Sequence, residues 1–364
     1  MIVLSCFDGM SCGQIAFERA EISIEKYYAS EIDKYAIKVT QANYPNTIQL
    51  GSITEWKSWN IEKPDIIIGG SPCQGFSFAG KQLNFEDERS KLFFTFVDIL
   101  KDYKPKYFLL ENVIMKKEYN DVISGILGEI YPECVHQTEL FRTGRLEPIE
   151  INSSLVSAQN RRRLYWTNIP GIENPDDRGV LLKDIIENGK TEKEKSYCID
   201  ANYFKGSSPE NYIDKSRRQM IITGGAFRGR NPENPSDRRI GIKTEQRLEI
   251  NETGKSNTLA SVSKDSLCIE FLNPPHNNKF KQTATIHYNT PKSNTLLAYA
   301  GDATRGIGIH DDSLSWRKLT PIECERLQTV PDNYTNHVSN SQRYKMLGNG
   351  WTVDVIAHIF GYII

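Results

Sequence analysis

The 364-residue chain has no apolar run approaching the roughly 20 residues that a membrane-spanning helix needs. Nor does its start read as a signal peptide, because Asp8, Glu18 and Arg19 interrupt the apolar residues there. The seven cysteines include no C-x-x-C pair, which sets aside both a disulfide framework and a structural zinc site, and no metal is expected. A reduced, cytoplasmic setting follows, with each cysteine by default a small buried hydrophobe. Excess charge is missing too: 45 Lys and Arg stand against 46 Asp and Glu, a net charge of −1. There is therefore no global electrostatic case for nucleic acid. The dinucleotide fingerprint G-x-G-x-x-G is also absent.

What is present is an ordinary globular balance, 38% hydrophobic and 25% charged, able to bury a core. Short β-rich runs (Ile2–Ser5, Lys26–Ser30, Ile66–Gly69, Tyr107–Leu110) alternate with stretches long enough for helices, such as Cys12–Ala20 and Asp33–Asn43. Such alternation implies βαβ units, and hence an α/β domain with a mostly parallel sheet. Ligands of these sheets bind beyond the carboxyl ends of the strands. The segments to inspect for chemistry are therefore Phe7–Gly13, Ser71–Ser77 and Glu111–Val113.

From about residue 170 to Trp316 the texture changes. Turn formers crowd together and helical periodicity disappears, so a smaller, loop-rich, largely β domain is expected. It carries a local basic surplus that includes Arg217, Arg218, Arg228, Arg230, Arg238 and Arg239. After Trp316, Thr320-Pro321-Ile322-Glu323 offers a cap residue, a proline at the first helical position and a glutamate at the third. The expected organisation is a first domain over 1–169, a β-rich insertion over 170–316, and a return to the first domain over 317–364.

Ser71-Pro72-Cys73-Gln74-Gly75-Phe76-Ser77 places a cysteine after a strand, among glycines, where a thiolate could act as a nucleophile. Glu111 stands at the end of the next strong strand, and neighbouring strand ends of a parallel sheet converge on one crevice. A thiol and a carboxyl there would form a nucleophile and acid pair. In Gln159-Asn160-Arg161-Arg162-Arg163, strand alternation puts Arg161 and Arg163 on one side and Arg162 on the other. Phe7-Asp8-Gly9-Met10-Ser11-Cys12-Gly13 has the form of a glycine turn at a nucleotide-binding first βα junction. Glu31 stands where ribose hydroxyls are usually held.

In order, F-D-G-x-S-x-G, S-P-C-Q-G-F-S, E-N-V, Q-N-R-R-R, the run Arg317–Gln328 and Gly348-Asn349-Gly350 resemble the motifs of the C5-cytosine DNA methyltransferases, of the bacterial or phage type. The blocks run from Phe7 to Gly350 and keep the family's order. The resemblance implies a Rossmann-like S-adenosylmethionine-dependent domain and an inserted target-recognition domain. It implies that Cys73 attacks carbon 6 of a flipped cytosine and that Glu111 contacts N3 and the exocyclic amine. Arg163 and Arg161 would steady the base and the active-site loop. Phe7, Asp8, Gly9, Met10, Gly13, Glu31, Ile32, Ser52, Ile53, Pro72, Leu92, Asn349 and Gly350 would bind the cofactor. Gln74 and Ser77, in a segment that could close over the base, and Arg228 and Arg230 in the insertion would contact double-stranded DNA. The protein is expected to act as a monomer away from any membrane, with a cognate restriction endonuclease as a candidate partner.

Two positions depart from the family pattern: Ser11 stands where glycine is common, and Ser52 where an aspartate usually meets the adenine amine. Other readings of the same motifs are a transfer-RNA cytosine methyltransferase, a catalytically inactive DNA-binding relative and a nucleotide-level pyrimidine enzyme. The large insertion favours DNA reading, and the presence of Cys73, Glu111 and Arg163 favours an active enzyme.

Overall fold

The structure is a computed structural model, and it describes residues 1–71, 88–135, 144–187, 189, 191, 193–206, 218–223, 225–230, 245–250, 268–270, 285–287 and 315–363. Two compact units divide the chain. The first holds Met1–Ile185, Lys195–Gly206 and Thr320–Ile364; the second holds Ile186–Glu194 and Ser207–Leu319.

The first unit is built on a seven-stranded sheet. Its strands are β1 (Ile2–Cys6), β2 (Lys26–Ser30), β3 (Ile48–Gln49), β4 (Ile66–Gly70), β5 (Tyr107–Val113), β6 (Ile149–Asn152) and β7 (Arg162–Thr167). Their order in space is β3-β2-β1-β4-β5-β7-β6, with every pair from β3 to β5 parallel. β7 alone runs against its neighbours β5 and β6. The central strands are apolar runs because helices cover both faces, and Ile66, Ile67 and Ile68 are all fully buried. This is the mostly parallel sheet expected from the alternation, and it is Rossmann-like, as the resemblance implies.

The sheet is flanked by α1 (Cys12–Arg19), α2 (Lys34–Asn43), α3 (Glu88–Tyr103), α4 (Lys117–Ile130) and the short α5 (Leu182–Ile185). Phe93, Phe96, Val97 and Leu100 of α3 pack with Phe108, Leu110 and Trp166 of the sheet and with Ile123 and Leu127 of α4. The chain returns through α6 (Pro321–Leu327), α7 (Asn340–Asn349) and α8 (Val353–Phe360). α6 starts where the sequence signals it: the Thr320 hydroxyl accepts from Glu323 N, and the Glu323 carboxylate accepts from Thr320 N. Phe360 of α8 stacks on Phe17 of α1 with ring centroids 4.1 Å apart, so the end of the chain is packed on its beginning.

In the second unit, the helix and strand structure described is all antiparallel strand. β8 (Met220–Thr223) pairs with β13 (Ser315–Lys318), β9 (Gly225–Arg230) with β10 (Glu245–Ile250), and β11 (Cys268–Glu270) with β12 (Thr285–His287).

Candidate active site

The carboxyl ends of β1, β2, β4 and β5, the start of β7 and the turn between α7 and α8 enclose a cavity of about 390 Å³. Phe7, Asp8, Gly9 and Met10 line it after β1, Glu31 after β2, and Gly70 and Ser71 at the end of β4. Glu111, Arg161, Arg163, Asn349, Gly350 and Trp351 complete the part of the wall with chemistry on it.

The turn after β1 reverses tightly. Phe7, Gly9 and Ser11 all have positive φ, near 60°, and for Phe7 and Ser11 this conformation costs about 1–2 kcal/mol each. The hydrogen bonds that hold it are local. Asp8 accepts from the Tyr27 hydroxyl at 2.7 Å and from the Ser11 hydroxyl. Burial pushes the Asp8 carboxyl up to about 6; hydrogen bonds from Ser11, Ser5 and Tyr27 oppose the rise and the charge of Glu31 adds to it. Glu31 Oε2 accepts from Gly9 N at 2.8 Å, and Oε1 accepts from Ile32 N and Asp33 N, each at 2.8 Å. Glu31 thereby joins the ends of β1 and β2. Across the cavity Lys345 reaches Asp33 at 2.8 Å.

Glu111 lies inside β5, because β7 pairs alongside through Val113 opposite Arg163. The sequence reading ended this strand at Leu110; the antiparallel partner extends it by three residues. That register delivers Arg163, whose Nε is 2.9 Å from Glu111 Oε1. The other carboxylate oxygen, Oε2, accepts from the indole N–H of Trp351 at 3.2 Å. Sequence reasoning did not find Trp351. A tryptophan after a glycine turn looks like core, and no spacing rule connects it to Glu111.

Arg161 is buried, and its guanidinium is turned to backbone. Nη1 donates to Cys198 Sγ, Ile199 O and Gly348 O, and Nη2 to Gly348 O and to Gly350 O at 2.9 Å. Arg162 faces outward and pairs with Glu150. The expected alternation therefore holds, with Arg161 and Arg163 on the cavity and Arg162 off it.

Five expected cofactor residues are not in this wall. Gly13 sits in α1, where an added Cβ would come within 2.6 Å of Ile68 Cδ1 and 2.7 Å of the Tyr27 hydroxyl; it is small so that the helix can lie on the sheet. Ile32 is 77% exposed, Ile53 is in the core, and Leu92 packs against the core from α3. Ser52 caps the helical turn Ile53–Ser58, its oxygen accepting from Thr54 N at 3.3 Å. Pro72, Cys73, Gln74 and Ser77 lie outside the described residues. Arg228 and Arg230 are on β9, in register with Arg247 and Glu245 of β10.

The chemistry of this arrangement is specific. A carboxylate fixed by two donors can hold a planar ring through its N–H groups, and two further carboxylates, Asp8 and Glu31, suit a cationic ligand beside it.

The chain matches the family described as C-5 cytosine-specific DNA methylase over residues 1–127 and 153–364. It is 28% identical over 360 residues to the type II methyltransferase M1.ScrFI of Lactococcus lactis subsp. cremoris, spanning 97% of this chain and 75% of that one. It is 27% identical over 365 residues to the type II methyltransferase M.HhaI of Haemophilus parahaemolyticus, spanning 98% and 92%. Among solved structures, a mutant of Spodoptera frugiperda DNMT2 superposes with a TM-score of 0.52 at 18% identity, covering 99% of this chain and 98% of the other. That likeness speaks for the fold alone.

Proposed function

We propose, from the premise that this chain belongs to the C-5 cytosine-specific DNA methylase family and is a DNA (cytosine-5-)-methyltransferase, that the cavity described above is where a flipped cytosine meets S-adenosylmethionine. The transfer-RNA alternative is not favoured, since the matching family is described as a DNA methylase and the relatives are named as type II methyltransferases.

One observation supports this reading above the others: the Glu111 carboxylate, gripped by Arg163 and Trp351, stands in the same wall as Gly70 and Ser71. Cys73 follows Ser71 by two residues, so covalent geometry alone keeps their Cα atoms within about 7 Å. On this reading Cys73 is the nucleophile that adds to carbon 6. Glu111 holds N3 and the exocyclic amine, favouring the form of the ring in which carbon 5 can attack. Arg163 acts by holding the Glu111 carboxylate in place. Extruding the base costs a few kcal/mol, which contacts outside the cavity must offset. Gln74 and Ser77 are assigned to that task.

The wall fits a cofactor of this kind. Gly350 leaves room beside Met10, where a Cβ would come within 2.9 Å of the Met10 Cε. Glu31 Oε2, with one backbone donor, retains a lone pair for a ribose hydroxyl. Asp8 and Glu31 place negative charge near a ligand whose sulfonium is positive. S-adenosylmethionine, when bound, supplies the methyl group. Asn349 and Gly350 hold its amino-acid end, and Pro72 is assigned to its adenine end; Ile32, Ser52, Ile53 and Leu92, which stand outside this wall, are not assigned to it. Arg161 steadies Gly348–Gly350 rather than the base, because its guanidinium donates to their carbonyls.

The second unit is assigned to target recognition, with Arg228 and Arg230 on the DNA. The protein is assigned to the cytoplasm as a monomer, with a cognate restriction endonuclease as partner. No helix among the described residues is long and apolar enough to cross a membrane. Expression in a methylation-free host, followed by mapping of 5-methylcytosine, tests the whole reading. Methylation of one sequence supports it, and exchanging residues 170–316 for a relative's should move the site. Unmethylated DNA in the presence of folded protein overturns it.

A further inference from the structure

We infer that Trp351 is a positioning residue for methyl transfer, acting through the Glu111 carboxylate; the inference rests on the role proposed for Glu111. Arg163 occupies one lone pair of Oε1 and Trp351 one of Oε2. Each oxygen keeps a second lone pair, and together these form an edge that accepts from the exocyclic amine and from N3 once that nitrogen carries a proton. Two donors on different elements also fix the plane of the carboxylate. Rotating it about its last torsion breaks at least one of the two bonds.

An indole N–H suits this task because it donates only and does not titrate. It steers Oε2 without competing for the proton that the chemistry handles. A second positive charge in its place would bind the carboxylate more tightly and hold it back from the base.

The tryptophan is itself held rigidly. The carbonyl just before it, Gly350 O, accepts from Arg161 Nη2 at 2.9 Å and Gln328 Nε2 at 3.2 Å. Its own carbonyl is 3.8 Å from Cys12 Sγ. The Thr352 hydroxyl after it donates to Gln328 Oε1 at 2.9 Å and accepts from the Ser153 hydroxyl at 2.9 Å. On the other side, Gly70 closes β4 against the contact itself. A Cβ on Gly70 would lie 3.0 Å from Glu111 Oε2 and 3.0 Å from Trp351 Nε1. The absence of that one carbon lets carboxylate and indole meet.

The test compares Trp351→Phe, Glu111→Gln and the double variant in the full-length protein, on unmethylated bacterial genomic DNA with tritiated S-adenosylmethionine. Single-turnover rate, affinity for S-adenosylhomocysteine and thermal midpoint are measured together. Trp351→Phe keeps the ring and loses the donor, so the rate should fall about tenfold, a change of roughly 1.4 kcal/mol in barrier. Affinity for S-adenosylhomocysteine should stay within about twofold, the uncertainty expected of a preserved wall. In the Glu111→Gln background, the same change should slow the reaction little further, because the effect travels through the carboxylate. Should Trp351→Phe fail to fold, Gly70→Ala tests the same contact and should show the same loss and the same dependence on Glu111. Additive losses, a parallel collapse of S-adenosylhomocysteine affinity, or a wild-type rate in either variant overturns the inference. A wild-type rate in Glu111→Gln alone would instead remove the role proposed for Glu111.

Discussion

The guanidinium of Arg161 donates to the carbonyl of Gly350 at 2.9 Å, although 189 positions separate them in the chain. The same side chain reaches Gly348 O and Ile199 O. One buried cation therefore satisfies carbonyls from two segments, and one of them forms part of the cavity wall.

Lysine cannot reproduce that fork, being a point charge with a different reach. Arg161→Lys is expected to leave buried carbonyls unpaired and to cost about 2–4 kcal/mol of stability, at about 1–3 kcal/mol for each group. Affinity for S-adenosylhomocysteine should weaken with it, because the turn at Gly348–Gly350 loosens. Urea denaturation and equilibrium binding measure both. Unchanged stability with a large loss of turnover would point to a direct role on the base instead.

A second buried cluster predicts a larger effect. Glu325, fully buried, accepts from Arg343 Nη2, Thr335 N, the Thr335 hydroxyl and Asn333 N. This fixes the loop that carries Tyr334, whose hydroxyl donates to Met10 O at 2.7 Å. Arg343→Met would strand the Glu325 charge, at a cost of about 3–5 kcal/mol. Replacing Glu325 by Gln as well should recover part of it, since the two residues act as one unit. Additive losses in denaturation would show that the pair is not coupled.

How much of this was legible in the sequence depended on distance along the chain. Ile66–Ile68 read as a buried strand because both faces are apolar, and Thr320 with Glu323 announced a helix start because capping is local. Arg161 and Arg163 were assigned to one side by alternation alone, and they do share the cavity. Their partners were not legible: nothing local tells that Arg161 meets Gly348 and Gly350, or that Trp351 meets Glu111. The sequence around Glu111 does not show that β5 continues past Leu110, because the pairing with β7 that extends it comes from residues far along the chain. Ser52 reads as a departure from the aspartate of the family pattern; in the fold it caps a helical turn.

Asp8 supplies a pH test. Its carboxyl rises to about 6 in the fold, against 3.8 in an unfolded chain, with burial the main cause. The native state therefore binds this proton more tightly than the unfolded state. Its stabilising share is complete below about pH 4, and it is lost as pH rises through about 6. Relative to Asp8→Asn, the wild type should lose about 2 kcal/mol between pH 4 and pH 8, after allowance for solvent at the cavity wall. Any constant cost of the substitution drops out of this slope. Denaturation of both proteins across that range decides it, and a flat or rising difference would refute the assignment.

The last prediction concerns the nucleophile. Addition to carbon 6 needs a thiolate, so a thiol held far above neutrality cannot serve. Burial pushes Cys12 up to about 12 and Cys6 higher still, and Cys134 is raised as well. Cys324 is buried. Among the cysteines whose side chains the structure describes, Cys198 is the exception, exposed and 3.3 Å from Arg161 Nη1, and it is therefore the control that matters. Fluorine at carbon 5 of the target base cannot leave as a proton does, so the covalent adduct persists and can be seen on a denaturing gel. Cys73→Ser should bind DNA, form no adduct with 5-fluorocytosine DNA, and lose at least about 10³-fold in turnover, the scale of removing a nucleophile. Cys198→Ser should trap normally. If trapping survives in Cys73→Ser and disappears in Cys198→Ser, the nucleophile is Cys198 and the segment that follows β4 in the sequence has another task.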